Sequence, residues 1–252
     1  MLARRPPGRY LGGMRVRCGT SGFSYQEWHG AFYPAELPAA DRLAYYAARL
    51  PAVEINQTFY RMPTAQVLSA WRSQVPEGFS FALKGSQRIT HLKRLRGAGE
   101  ETARFHEVAS TLGPSLGPVL WQLPPNLKLD LPRLREFLAS LPPGARPAFE
   151  FRHESWRSDE VLETLRARGA ALVWAHGGEE EEPPLATTAA FGYLRLRAPD
   201  YGPEALRAWA GRILAQPWEE AWVFFKHEDE GKGPAFALAM MEVLGEQAVR
   251  AG

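Results

Sequence analysis

Eight short runs of apolar and β-branched residues recur along the chain with helix-like stretches between most of them, and this alternation restricts the possible folds more than any other feature. The runs are RVRCGT (15–20), AVEIN (52–56), FSFALK (79–84), PVLWQL (118–123), PAFEFRH (147–153), ALVWA (171–175), GYLRLR (192–197) and AWVFFK (221–226). DRLAYYAARL, AQVLSAWRSQV, ETARFHEVASTL, LPRLREFLASL and SDEVLETLRARG place apolar residues three and four apart, as an amphipathic helix requires. GPEALRAWAGRILAQ and PAFALAMMEVLGEQA repeat the pattern after the last two runs. This order predicts one α/β domain over residues 15–252, a closed (β/α)8 barrel of the TIM type. A doubly wound open sheet is the competing architecture, but the turn CGTSGFSY after the first run lacks the G-x-G-x-x-G spacing of a dinucleotide site. The acidic, proline-containing stretch at 176–190 reads as an exposed loop, with Glu179 to Glu182 a solvated charge run.

Residues 1–14, basic and without an apolar stretch long enough for a signal peptide, are expected to form a flexible N-terminal extension. The 30 basic and 28 acidic residues leave a formal charge of +2, so nothing global favours nucleic acid or an anionic membrane, and any preference for anions must be local. The single cysteine, Cys18, excludes an internal disulfide framework and reads as a small buried strand residue in a reducing compartment. No run approaches membrane-spanning length, and the expected location is the cytoplasm.

Charge appears where a buried strand should be greasy. Side chains alternate faces along a strand, so Val53 and Ile55 oppose Ala52, Glu54 and Asn56, and Phe79, Phe81 and Leu83 oppose Ser80, Ala82 and Lys84. Gln122 shares a face with Leu120, Glu150 and Arg152 with Ala148, and Arg195 and Arg197 with Tyr193. The outer face of a barrel strand packs under helices and must be apolar, which assigns these polar sets to the interior. They fall late in their strands, at the carboxyl end where barrel active sites are built. In the sixth and eighth runs both registers are apolar, so the faces of Trp174, His176, Lys226 and His227 stay open.

Five ordered motifs, CGTSGFSYQEWHGAFYP, VEINQTFYRMP, FALKGSQRITH, WQLPP and FEFRHESW, resemble the DUF72 (YecE-like, UPF0759) family of uncharacterised proteins. The resemblance runs from about Arg15 to the eighth run and implies a TIM-type barrel, with no established reaction, substrate or cofactor. The positions matching the family's polar pattern are Thr20, Glu54, Asn56, Tyr60, Lys84, His91, Gln122, Glu150, Arg152, Trp156 and Arg195. Two places depart from it. Arg195-Leu196-Arg197-Ala198 stands where the family tends to carry Arg, an aliphatic residue, His and Gly, and Lys226-His227 stands where it tends to carry Asn.

Glu54 and Glu150 against Lys84, Arg152 and Arg195, with Arg197 at the rim, make a mouth that leans cationic and favours a small anionic ligand. The first functional reading is a barrel enzyme acting by general acid and base chemistry on a sugar- or nucleotide-like substrate. In it Glu54, Glu150 and Lys84 are catalytic, and Thr20, Asn56, Tyr60, His91, Gln122, Arg152, Trp156 and Arg195 bind substrate. Burial should raise the proton affinity of Glu54 while Arg152 keeps Glu150 ionised. Internal ion pairing, Glu150 with Arg152 or Glu54 with Lys84, is the competing structural role. Lys84 suits either an imine with a carbonyl substrate or a point charge for phosphate.

No cofactor is expected. A divalent metal is the alternative, for which His91, His176 and His227 are the candidate ligands near the mouth, with His106 read as a surface residue and no close ligand pair present. The competing functional class binds nucleic acid, or hydrolyses phosphoesters with a metal. It would use Arg88, His91, Lys93, Arg94 and Arg96 beside the aromatic rings of the rim.

Overall fold

The computed structural model describes residues 13–177 and 185–251; most of the expected N-terminal extension and the acidic run Glu179 to Glu182 lie outside the described residues. Among the described residues there are nine strand segments: β1 (Arg15–Ser21), β2 (Ala52–Ile55), β3 (Ser80–Lys84), β4 (Leu116–Gln122), β5 (Pro147–Glu150), β6 (Ala171–Leu172), β7 (Trp174–His176), β8 (Phe191–Leu196) and β9 (Glu220–Phe225). Every pairing is parallel, in the order β6-β5-β4-β3-β2-β1-β9-β8-β7. The two ends of that order, β6 and β7, are separated in sequence by Val173 alone, whose amide donates to the Phe149 carbonyl at 2.9 Å. They are two halves of one stave that changes partner from β5 to β8, so the sheet closes with eight staves, as the alternation predicts.

The helices follow their strands: α1 (Arg42–Ala47), α2 (Gln57–Tyr60), α3 (Ala65–Ser73), α4 (Gly99–Ala109), α5 (Leu131–Ser140), α6 (Asp159–Arg166), α7 (Pro203–Leu214) and α8 (Lys232–Leu244). Local chemistry sets several starts. Asp130 caps α5 by accepting from the Arg133 amide at 3.1 Å, with Pro132 in the first turn, and Thr64 caps α3 from the Val67 amide. Short elements without a counterpart in the apolar spacing include α2, directly after β2, and a π-helical turn at Arg88–Leu92 after β3. No helix among the described residues is long and apolar enough to cross a membrane.

Two apolar layers lie on opposite faces of the sheet. Outside, Cys18, Val53, Phe81, Trp121, Phe149 and Val223 pack under the helices; inside, Ala52, Ala82, Leu120, Ala148, Ala175, Tyr193, Trp222 and Phe224 fill the barrel. The interior is lopsided. Small alanines from β2, β3, β5, β6 and β7 face the rings of Phe191, Tyr193, Trp222 and Phe224, which come from the neighbouring strands β8 and β9. This explains why the eighth run is apolar in both registers: Trp222 and Phe224 face in while Val223 and Phe225 face the helices. The sixth run resolves the same way, with Val173 and Ala175 inside and Trp174 outside.

Trp222 forms the bottom plug. Its Nε1 donates to Ser80 Oγ at 3.0 Å, and the guanidinium groups of Arg17 and Arg146 lie 5.5 and 4.9 Å from its ring centroid. Glu220 holds both arginines and Arg15 at 2.7–3.2 Å. Trp222→Ala would leave a void that the surrounding alanines cannot fill, and a loss of about 3–5 kcal/mol is expected. The denaturant midpoint of the variant against the wild type measures it, and a change below about 1 kcal/mol would contradict this packing.

Candidate active site

The polar residues of the interior converge at the carboxyl ends of the strands. Ser21, Lys84, Gln122 and Glu150 are the last residues of β1, β3, β4 and β5, Asn56 follows β2, and Arg195 lies next to the end of β8. Strand register sets them side by side, pairing Ser21 with Glu54 and Gln122 with Glu150. A close approach fixes the exit from β3: a Cβ on Gly85 would sit 2.2 Å from the Trp121 ring, so only glycine fits immediately after Lys84.

Arg195 is the centre of the arrangement. Its Nη1 donates to Glu150 Oε2 at 2.7 Å and its Nη2 to Glu54 Oε1 at 3.0 Å. Glu54 also accepts from Ser21 Oγ at 2.7 Å, from Tyr193 Oη at 2.7 Å and from Asn56 Nδ2 at 3.3 Å. Glu54, Glu150 and Arg195 are 0, 2 and 2 % exposed. Glu150 Oε1 accepts no hydrogen bond among the described residues, while Arg197 and Arg152 approach it at 3.5 and 3.7 Å.

These contacts reverse one expectation. Burial pulls the Glu54 carboxyl upward, but the Arg195 charge and the hydrogen bonds from Tyr193, Ser21 and Arg195 outweigh it and hold the group below the usual carboxylate range. Burial acts on Glu150 in the same direction, and Arg195, Arg197 and Arg152 bring it down to about 2. Both glutamates are therefore ionised at neutral pH, and Glu54 is not the proton-rich member of a split pair. Nor does Glu54 pair with Lys84; its cation is Arg195.

Lys84 stands apart from this network. Its Nζ lies 4.3 Å from the Phe59 ring centroid and makes no hydrogen bond or ion pair among the described residues. Burial lowers its pKa to about 8, Arg195 and Arg152 adding to the fall and Glu54 and Glu150 opposing it. His91 packs against the same Phe59 ring at 4.9 Å, and its Nδ1 meets Thr90 Oγ1 at 2.9 Å. Its pKa is lowered by burial and by Lys84, Arg152 and Arg94. Gln122, beside Glu150 in the strand register, is buried, and its carboxamide makes no hydrogen bond among the described residues.

Two predicted ligand contacts, Thr20 and Trp156, face the outer layer, and a third, Tyr60, stands at the rim. Thr20 faces the helices, with Oγ1 against Tyr46 Oη at 2.9 Å and donating to the Gly22 carbonyl at 2.6 Å; Ser21 has the inward position that Thr20 was expected to hold. Trp156 is buried in the outer layer, donating to the Leu127 carbonyl at 2.7 Å and stacked on Phe151 at 4.6 Å. Tyr60 is an exposed rim residue set edge-on to Phe59.

The histidines also separate. His176 meets Tyr201 Oη at 2.8 Å and packs on Trp209, and His227 bonds the Ala198 carbonyl beside Tyr201 and Phe236, so both sit behind the strands with α7 and α8. His106, expected at the surface, is buried against Trp121, and burial pushes its pKa to about 4. Among the described residues no three His, Cys, Asp or Glu side chains converge as a metal's donor set would. In the basic loop, Glu101 takes Arg88 at 3.4 Å and Lys93 at 2.6 Å.

Ser21 and Tyr193 are neighbours of the charged cluster that the sequence reading did not select as site residues, and Phe59 entered it only as one of the aromatic rings of the rim. Tyr193 shares the inward parity of Arg195, and Ser21 that of Arg17, so alternation carried the signal for both; Phe59 lies on α2, which apolar spacing did not reveal.

A closed parallel barrel with a charged carboxyl-end mouth is the class this geometry defines. The family described as "Protein of unknown function DUF72" matches residues 17–251, and the chain belongs to it. The curated relative UPF0759 protein YecE of Escherichia coli K12 is 35% identical over 125 residues, 49% of this chain and 46% of YecE. YunF of Bacillus subtilis is 28% identical over 158 residues, 59% of this chain and 55% of YunF. The chain spans about half the length of these relatives in the matched stretches. Among solved structures, a DUF72 family protein from Thermotoga maritima superposes with a TM-score of 0.79 at 27% identity, covering 91% of this chain and 99% of that one. One from Enterococcus faecalis, at 20% identity and a TM-score of 0.77 over 91% and 95% of the two chains, shares the fold.

Arg195→Met should cost about 3–5 kcal/mol at pH 7, because two buried carboxylates lose their counter-charge. In the wild type both glutamates have depressed pKa values. Their contribution is therefore present above the unfolded value of about 4.3 and lost as the pH falls through the folded values. In the variant burial dominates, the carboxyl groups protonate more readily, and acid relieves the defect. Denaturation at pH 7 and pH 5 should show the gap between variant and wild type narrowing; a constant gap contradicts the assignment.

Proposed function

We propose that the protein is an enzyme that binds a small anionic, sugar- or nucleotide-like compound at the carboxyl-end mouth of the barrel and acts on it by acid and base chemistry. The observation that carries this reading is the Lys84 amine, held against Phe59 with no hydrogen-bond partner among the described residues, while both glutamates direct an oxygen to Arg195 instead. A lysine kept only for structure would gain by pairing with one of those carboxylates. Charge supports the anionic ligand: Glu54 and Glu150 face Arg195, Arg152 and Arg197 as well as Lys84, an excess of cations in a low-dielectric setting.

The roles differ from a two-carboxylate mechanism. Glu54 and Glu150, both ionised, fix Arg195 and shape the potential at the mouth, and proton transfer falls to Lys84 and His91. Asn56 and Gln122 suit the orientation of hydroxyl or amide groups. Arg152 and Arg197, partly exposed above Glu150, are positioned to meet an anionic group. The same reading places the enzyme in the cytoplasm, in keeping with a single buried cysteine.

Thermal unfolding in phosphate tests the ligand class. Phosphate should raise the melting temperature of the wild type more than that of Arg152→Ala, both compared with chloride at equal ionic strength; equal responses would overturn the anion site. Once a turnover is found, Glu54→Gln and Glu150→Gln should each lower it about a hundredfold, as loss of a preorganised electrostatic contact does. Unchanged turnover in both would remove the glutamates from the mechanism.

A further inference from the structure

We propose that Lys84 forms a covalent imine with the carbonyl carbon of a ketone or aldehyde that also carries a phosphate or carboxylate. The inference rests on the anion-binding reading of the mouth and goes beyond it by naming the bond formed.

The five lysines of the chain do not occupy comparable settings. Lys128, Lys226 and Lys232 are exposed, and Lys93 is held by Glu101 at 2.6 Å and by the Gly97 carbonyl at 3.0 Å. Lys84 is partly buried at the end of a barrel strand, with an aromatic face on one side and no acceptor for its protons among the described residues. The Phe59 face attracts the ammonium form, but the loss of hydration without a paired counter-ion outweighs it and favours the neutral amine that a nucleophile must be. Its lowered pKa, about 8, agrees with that geometry. Glu54 and Glu150 are bonded to Arg195, and the Glu150 Oε1 that accepts no hydrogen bond among the described residues is approached by Arg197 and Arg152, so neither carboxylate pairs with the amine.

The step balances without a further reactant. The neutral Lys84 nitrogen attacks the carbonyl carbon, the C–N bond forms, and the carbonyl electron pair moves to oxygen, which takes up a proton to give a carbinolamine. A second proton on that oxygen lets it leave as water, and the nitrogen lone pair forms the C=N bond. The nitrogen loses one of its two amine protons during these transfers, so amine, carbonyl and one net proton give iminium and water. His91, on the same Phe59 ring, is placed to relay protons to and from the carbinolamine. The iminium then draws electrons from the adjacent carbon, the property used in proton transfer or carbon–carbon cleavage beside a carbonyl.

Borohydride trapping tests the inference. The protein is incubated with dihydroxyacetone phosphate or pyruvate in the presence of sodium cyanoborohydride, and the reduced adduct is located by peptide mass mapping. The expected result is one adduct per chain on Lys84, at least about tenfold more than with uncharged dihydroxyacetone at equal concentration, and its loss in Lys84→Met. Two results would overturn the imine: no adduct with either anionic probe, or adducts spread over the exposed lysines with Lys84 unmodified. If trapping fails while phosphate still stabilises the wild type more than Arg152→Ala, the anion site stands and only the imine falls. If both responses are absent, both readings fall.

Discussion

The guanidinium of Arg195, clamped between Glu54 and Glu150 at the top of the barrel interior, is the interaction on which the site depends. It joins strands β2, β5 and β8, spaced about evenly around the closed sheet, and so ties three separate arcs of the barrel to one point. Burying three charges is costly, and an apolar filling of the same space is often at least as stable. The hydrogen bonds from Ser21 and Tyr193 to Glu54 recover part of that cost. Stability alone does not explain why this height in the barrel is ionic, since the layer directly beneath it is filled with apolar side chains.

That apolar layer sets the height of the site. Alanines on one arc and the rings of Phe191, Tyr193, Trp222 and Phe224 on the other leave the lower barrel filled. Tyr193 belongs to both regions: its ring packs 5.3 Å from Phe224, and its hydroxyl reaches up to Glu54. One side chain thus registers the aromatic plug against the charged floor, and the position of β8 fixes Tyr193 and Arg195 together, two residues apart on the same face. The polar groups above the floor inherit their places from this one strand and from the carboxyl ends of its neighbours.

Much of this was legible in the sequence where a strand has one greasy and one polar face. Parity placed Glu54, Lys84, Gln122, Glu150 and Arg195 inside the barrel because Val53, Leu83, Trp121, Phe149 and Leu194 had to face the helices. The same rule was silent for β7 and β9, whose inner faces are themselves apolar in order to fill the barrel. Thr20, selected from the family's polar pattern and not by parity, faces the helices, and it is the neighbouring Ser21 that reaches Glu54. The run there was read as ending at Thr20, whereas the strand extends to Ser21 and turns at Gly22, whose φ of +91° admits few other residues. The ionisation of Glu54 was beyond local pattern altogether. Its state follows from Ser21, Tyr193 and Arg195, 33, 139 and 141 positions away, and only closure of the sheet brings them to one carboxylate.

The division between engaged carboxylates and an unengaged amine has a consequence for how a bound anion would act on the site. Arg195 and Arg152 lower the proton affinity of Lys84, and Glu54 and Glu150 raise it, so burial is left as the main force on the amine. An anionic group settling between Arg152 and Arg197 would offset part of the cationic field, favouring positive charge on the Lys84 nitrogen. For a free amine that means reprotonation, which opposes nucleophilic attack. For an iminium it means stabilisation, because the positive charge is carried by the covalent product itself. On the proposed reading, then, the ligand's own anion favours the covalent state over the encounter complex with neutral amine. A neutral carbonyl compound of the same size lacks that electrostatic preference, even where its hydroxyl groups meet Asn56 and Gln122 equally well.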